Sequence, residues 1–191
     1  MKSICVFCGS SDKVDSIYLD AAREMGSVIA DSGCQLVYGA GSTGLMGAVA
    51  EAVLTGGGEV IGVMPEIFNT PSLSKPEITR YEVVADMHTR KARMHALSDA
   101  FIALPGGFGT LDELLETITW AQIGLHAKPI GLLNTGGYYD GLIEFFHKIE
   151  EKGFTYEGHN GIYRHAADPA KLLESMNGYL PPEALSKWVD R

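Results

Sequence analysis

An apolar run from Ala100 to Leu104 ends in Pro105-Gly106-Gly107-Phe108-Gly109, and an amphipathic pattern opens at Thr110 and continues through Leu114, Leu115 and Ile118. A buried strand, a glycine bend and a helix start in that order leave few folds open. A continuously apolar strand needs cover on both faces, and crossover helices supply it. The same unit recurs along the chain. Ile4 to Cys8 is an apolar run ending at Gly9-Ser10-Ser11, and Tyr18, Ala21, Ala22, Met25, Val28 and Ile29 follow at helical spacing up to Gly33. Leu36-Val37-Tyr38 runs into the turn Gly39 to Gly47 and a helix carrying Leu45, Val49 and Val53, and Val60 to Met64 is a third strand. The order predicts an α/β fold, a mostly parallel sheet with helices on both faces.

Beyond Met64 the three prolines of Pro65 to Pro76 mark a loop. Tyr81 to Ala85 reads as a strand, Asp86 as the cap of a helix to about Leu97, Pro129 to Leu133 as a strand, and Tyr138 to about Lys152 as a helix. Ile162-Tyr163 reads as a last strand, and Asp168-Pro169 as a helix start with Asp as cap and Pro at the first helical position. The tail from Pro181 is expected to hold one short helix. No repeat or linker interrupts the 191 residues, so residues 1–191 are expected to form one domain.

A net charge of −9 argues against a nucleic-acid or membrane-surface partner, although a local basic pocket remains compatible with it. No apolar run reaches the roughly 18 residues of a membrane span, and Met1-Lys2-Ser3 leads straight into the first strand without a signal-peptide pattern. Three cysteines, an odd and low count, point to a reducing compartment and a cytoplasmic protein. Cys5 and Cys8 lie three apart on a strand, so they point to opposite faces and cannot share a metal. The six histidines show no ligand spacing, and no metal site is expected.

Three segments carry chemistry. Thr110-Leu111-Asp112-Glu113 fits a capping box, with Thr110 as the cap. A cap has no use for Gly106, Gly107 and Gly109 in front of it, whereas close approach of a ligand to the backbone does. The segment therefore reads as a phosphate cradle at a helix N-terminus with Glu113 as an acid beside it. Gly39-Ala40-Gly41-Ser42-Thr43-Gly44 is literally G-x-G-x-x-G between a strand and a helix, but no ribose-reading acid ends the next strand. It reads as an anion- or nucleotide-contacting turn rather than a dinucleotide fingerprint. Met87, Arg90, Lys91 and Met94 share one helix face. Since methionines face a core, Arg90 and Lys91 are expected to be carried inward toward an anion, with Arg93 and His95 left on the surface. Trp120, Phe145 and Phe146 read as core or interface.

Together Gly39–Gly47, Met87–Met94 and Pro105–Glu113 resemble the signature of the LOG (Lonely Guy) family, the cytokinin-activating phosphoribohydrolases. Its members are often labelled lysine decarboxylases, a label these residues do not support. The resemblance spans about Ile4 to Gly153. It implies a Rossmann-like domain that forms homodimers and hydrolyses an N6-substituted adenosine 5′-monophosphate to the free base and ribose 5-phosphate, without a cofactor. It implies Arg90 and Glu113 as the catalytic pair. Gly41, Gly44, Glu66, Met87, Lys91, Gly106, Gly107, Phe108, Gly109, Thr110 and Thr119 are then the candidate substrate-binding residues. The loop Asn69 to Pro76 looks longer than in plant members. Breaking an N-glycosidic bond builds positive charge on the ribose, which a carboxylate at Glu113 would stabilise. An AMP nucleosidase without N6 preference, and a non-catalytic nucleotide-binding or carrier protein, fit the same residues. An NAD-dependent oxidoreductase lacks its ribose-reading acid and hydride site.

Overall fold

The computed structural model describes residues 1–70, 73 and 77–182. The short helix expected in the tail, and most of the loop from Pro71 to Pro76, lie outside them. Seven strands, β1 (Ser3–Phe7), β2 (Gln35–Tyr38), β3 (Val60–Pro65), β4 (Arg80–Val84), β5 (Ala100–Ala103), β6 (Ile130–Leu133) and β7 (Tyr163–Ala166), form one sheet in the order β4-β3-β2-β1-β5-β6-β7. All described pairings are parallel.

The period of two along each strand divides the interior into two cores. Ile4, Val6, Leu36, Tyr38, Ala100 and Ile102 point to one face, where α1 (Ser16–Asp31), α2 (Gly44–Thr55) and α6 (Pro169–Asn177) cover them with Met25, Ile29, Val49, Val53, Leu172 and Met176. Cys5, Phe7, Val37, Phe101 and Ala103 point to the other. There α3 (Met87–Leu97), α4 (Phe108–Gln122) and α5 (Asp140–Glu151) contribute Met94, Leu114 and Ile143. Double-sided burial is why the strands read as unbroken apolar runs.

Two helix starts follow the expected capping chemistry: Asp86 Oδ1 accepts from Thr89 N at 2.7 Å, and Asp168 Oδ1 accepts from Lys171 N at 2.8 Å. The loop after β3 contains a single 3-10 turn, Glu66–Phe68. The last strand begins at Tyr163, one residue later than expected, because Ile162 closes another 3-10 turn, His159–Ile162. From β1 the chain steps through β2, β3 and β4 on one side, then returns to place β5 on the other side of β1. The connections diverge between β1 and β5, and open α/β sheets bind their ligands in such a crevice, outside the strand carboxyl ends.

Candidate active site

At that crevice the loops after β1 and β5 are stitched together, Gly9 N donating to Pro105 O at 3.1 Å. Gly106 allows the approach, since a Cβ there would lie 2.6 Å from Thr110 Cβ and 2.9 Å from Gly9 N. From behind, the hydroxyls of Tyr138 and Tyr139 donate to the carbonyls of Gly106 and Leu104, each at 2.6 Å. The bend is thus fixed by its carbonyls, and the amides face the other way. Those of Phe108, Gly109 and Thr110 find no acceptor among the described residues, and a Cβ on Gly107 or Gly109 would meet nothing within 4 Å. Open space in front of unpaired amides at a helix N-terminus suits an anion. Phe108 beside them is 93% exposed.

The capping-box reading fails. The helix begins at Phe108 with Gly107 at its N-cap and no side-chain cap, so Thr110 is already inside the helix. The Pro-Gly-Gly bend starts the helix two residues earlier than the amphipathic pattern suggested. Glu113, one turn on, shares the buried face of Thr110, Leu114, Thr117 and Ala121. It is 7% exposed, and its Oε1 lies 3.9 Å from Arg90 Nη1. Burial pushes its carboxyl up from 4.5 to about 7, with Arg90 opposing the rise and Asp112 adding to it.

Arg90 is itself 9% exposed. Its Nε donates to Val63 O and its Nη2 to Gly39 O, both at 3.1 Å, so the guanidinium ties the ends of β3 and β2. Its Nη1 faces Met87 Sδ at 3.8 Å and Glu113. At 3.9 Å the Arg90–Glu113 contact is a charge pair across a gap rather than a hydrogen bond, so both facing atoms keep bonding capacity for a third group. Gly39 makes this placement possible, because a Cβ there would overlap the guanidinium, 2.8 Å from Cζ. The next residue, Ala40, is fully buried with φ 59°, a conformation that costs a non-glycine about 1–3 kcal/mol.

The first glycine of the G-x-G-x-x-G run therefore serves Arg90. The rest of the run does not present a free anion cradle. Gly44 N donates to Asp12 Oδ1 at 2.6 Å, while Leu45 N and Met46 N donate to Gly9 O at 3.0 and 3.4 Å. The start of α2 is satisfied by the chain itself, and Asp12 sits where an anion would. Gly41 packs on Met46. Gly44 borders a cavity of about 540 Å³ with Asp12 and Ser42, one that reaches neither Arg90 nor Glu113. Both glycine turns nevertheless share the loop after β1, since Thr43 Oγ1 donates to Ser10 O at 2.7 Å.

Lys91 is carried inward as expected, but its Nζ lies 3.1 Å from both Asp112 and Glu116, so it clamps α3 to α4. Met94 reaches the core whereas Met87 is half-exposed at the rim. Glu66 is exposed on the same edge, with no contact to Arg90 or Glu113. Thr119 is not brought to the pair. It is exposed on the later turns of α4, beside a separate cavity of about 270 Å³ between α4, α5 and the His159–Ile162 turn.

His95 is not a surface residue. It is buried, 3.0 Å from Thr117 Oγ1 and packed against the rings of Phe101 and Trp120. The helical period alone puts it off the Met94 face; the aromatic cover from α4 and β5 is what buries it. Sequence reasoning took Gly39 only as part of the glycine run, read His95 as surface, and passed over Asp12 and Thr117. Only Gly39 carried a local signal, as the first glycine of a motif.

Residues 46–176 match the family described as "Possible lysine decarboxylase". The chain is 48% identical over 180 residues to the cytokinin riboside 5′-monophosphate phosphoribohydrolase LOG1 of Arabidopsis thaliana, covering 94% of this chain and 84% of that protein. It is 49% identical over 178 residues to LOG4, of the same name and organism, covering 93% and 83%. Among solved structures, the molybdenum cofactor carrier protein of Chlamydomonas reinhardtii superposes with a TM-score of 0.70 at 23% identity, covering 95% of this chain and 99% of that one. That likeness establishes a common fold.

Proposed function

The chain belongs to the LOG family, and on that premise we propose that it hydrolyses the N-glycosidic bond of an N6-substituted adenosine 5′-monophosphate, giving the free base and ribose 5-phosphate. One observation carries the reading: a desolvated carboxylate, Glu113, stands opposite a buried guanidinium one turn past three unpaired amides. The 5′-phosphate lies on the amides of Phe108, Gly109 and Thr110, in the space left by Gly107 and Gly109. Glu113 follows three residues later, about 4.5 Å along the helix, which suits the reach from a 5′-phosphate to the anomeric carbon. As the bond to the base breaks, positive charge grows on the ribose, and the ionised Glu113 stabilises it and accepts a proton from the attacking water. Arg90 Nη1 fixes that carboxylate and offers a donor toward the departing base. Binding energy from the phosphate is used to place the sugar.

Glu66, Met87 and the exposed Ile67 and Phe68 lie on the same edge and suit a base with an apolar N6 substituent. Lys91 acts through Asp112 and Glu116, which flank Glu113 on α4. Gly41 and Gly44 shape the loop that backs the site rather than donating to the phosphate. Thr119 contributes from a second copy in a homodimer that buries the apolar surface of Leu115, Phe145 and Phe154; Phe145→Asp should then convert the dimer to monomer in sedimentation. The three buried free thiols suit a reducing cytoplasm.

Incubation with AMP, N6-isopentenyl-AMP and the corresponding riboside, followed by chromatography of the products, tests the reading. Base release from the monophosphates and not from the riboside is expected, with the N6-substituted substrate preferred. Equal turnover of AMP would make it a general AMP nucleosidase, and nucleotide binding with no base released would make it a carrier.

A further inference from the structure

Behind the Arg90–Glu113 pair the same two helices meet again. Along the α3–α4 seam Arg90 faces Glu113, Lys91 faces Asp112 and Glu116, and His95 faces Thr117. The contacts climb both helices together, so α3 and α4 run side by side in one sense. The first pair spans a gap, and the second involves the exposed Asp112. The third, His95 with Thr117, is buried.

Thr117 Oγ1 donates to Glu113 O at 2.7 Å, and with the His95 proton on Nε2 it also accepts from that imidazole at 3.0 Å. Lys128 N donates to His126 Nδ1 at 3.2 Å, so His126 also carries its proton on Nε2 and donates to Thr117 O at 3.1 Å. Lys128 Nζ closes the network on His95 O at 2.8 Å. Thr117 is therefore held by one imidazole on its side chain and another on its backbone, and its hydroxyl ends on the peptide carbonyl of Glu113 itself. The rings of Phe101 and Trp120, 4.4 and 4.5 Å from that of His95, exclude water from one side.

We propose that His95 and Thr117 are positioning residues of the hydrolytic site, their hydrogen bond fixing the α3–α4 seam and with it the separation of Arg90 from Glu113. Neither touches the reacting atoms. His95 lies five residues past Arg90 and Thr117 four past Glu113, close enough for a shift at one pair to reach the other through rigid helix. Protonating His95 would add a cation facing His126 and Lys128 from the loop before β6 and Lys91 from its own helix. Burial and these neighbours hold the imidazole neutral down to about 4, so the anchor is constant over the range in which Glu113 titrates.

The catalytic consequence rests on the proposed hydrolysis, and the test separates the two. Thr117→Val, His95→Phe and the donor-preserving His95→Gln are compared with wild type in melting, in turnover of N6-isopentenyl-AMP, and in a carbon-13 carboxyl titration of Glu113 without substrate. In T117V and H95F the titration midpoint of Glu113 should move and kcat should fall roughly 10- to 100-fold, as expected for a misplaced group, with KM within about twofold. H95Q should recover most of both. A folded T117V or H95F with kcat within about twofold and an unmoved midpoint overturns the positioning role. So does H95Q behaving like H95F. Should T117V fail to fold, the H95F and H95Q pair decides by the same criteria. If wild type releases no base, the hydrolytic reading fails, while the titration still decides whether the anchor sets the environment of Glu113.

Discussion

Replacing Glu113 by Gln separates two pictures of the site by sign. If Glu113 were a tight ion-pair partner of Arg90, its carboxyl would sit below 4.5 and its ionisation would stabilise the fold. Instead the carboxyl is desolvated, its nearest guanidinium nitrogen is 3.9 Å away, and it is raised to about 7. The folded protein then holds a proton on Glu113 that the unfolded chain releases between 4.5 and about 7. Stability from this group is fully present below 4.5 and is lost as pH rises through about 7. The rise corresponds to about 3 kcal/mol at most, a sizeable part of a typical folding free energy of roughly 5–15 kcal/mol. Glutamine has the shape of the protonated acid and never ionises. Denaturant unfolding of wild type and E113Q at about pH 5 and about pH 8 should therefore show E113Q gaining about 2–3 kcal/mol on wild type at the higher pH. Subtracting the two pH values cancels any fixed cost of leaving Arg90 beside a neutral amide. A difference that stays constant with pH, or wild type gaining on E113Q as pH rises, would refute the desolvated carboxylate.

Three further outcomes follow from the same geometry. Gly39→Ala puts a methyl on the Arg90 guanidinium, so it should lower stability by about 1–3 kcal/mol and reduce kcat for base release about 100-fold; a variant with normal melting and turnover would disconnect Gly39 from Arg90. Asp12→Ala removes the acceptor for Gly44 N and should cost about 1 kcal/mol in denaturant unfolding, with KM for the nucleotide changed by less than about twofold if α2 is not the phosphate site. Gly109→Ala adds a methyl that meets no protein atom within 4 Å. It should raise helix stability by about 0.5–1 kcal/mol yet weaken AMP binding in calorimetry, and unchanged AMP affinity would move the phosphate elsewhere.

The likeness to a molybdenum cofactor carrier and the identity to phosphoribohydrolases separate fold from site. A common sheet and helix arrangement at 23% identity says nothing about chemistry. Under the proposed function, what suits this copy of the fold to hydrolysis is one carboxylate denied water next to one guanidinium denied a close counter-ion.

Strands, helices and the carboxyl edge of the sheet were legible in the sequence because their signals are local. Unbroken apolar runs mark strands buried on both faces, and glycine bends after β1, β2 and β5 mark the carboxyl edge of the sheet. Arg90 was legible too, as a cation on the face of two methionines, and Glu113 as an acid one turn past a glycine bend. Tertiary structure decided how they are used. Arg90 reaches Gly39 across 51 residues, Asp12 caps Gly44 across 32, and His95 meets Thr117 across 22. Those spans hold no periodicity linking their ends, so nothing in the sequence says that a nucleotide-like glycine run serves an arginine, or that an acid fills its anion site. Thr110 shows the same limit within a single turn. Sequence chemistry made it a cap, whereas the packing of Gly106 against Gly9 accompanies a helix that starts at Phe108 and leaves Thr110 inside it.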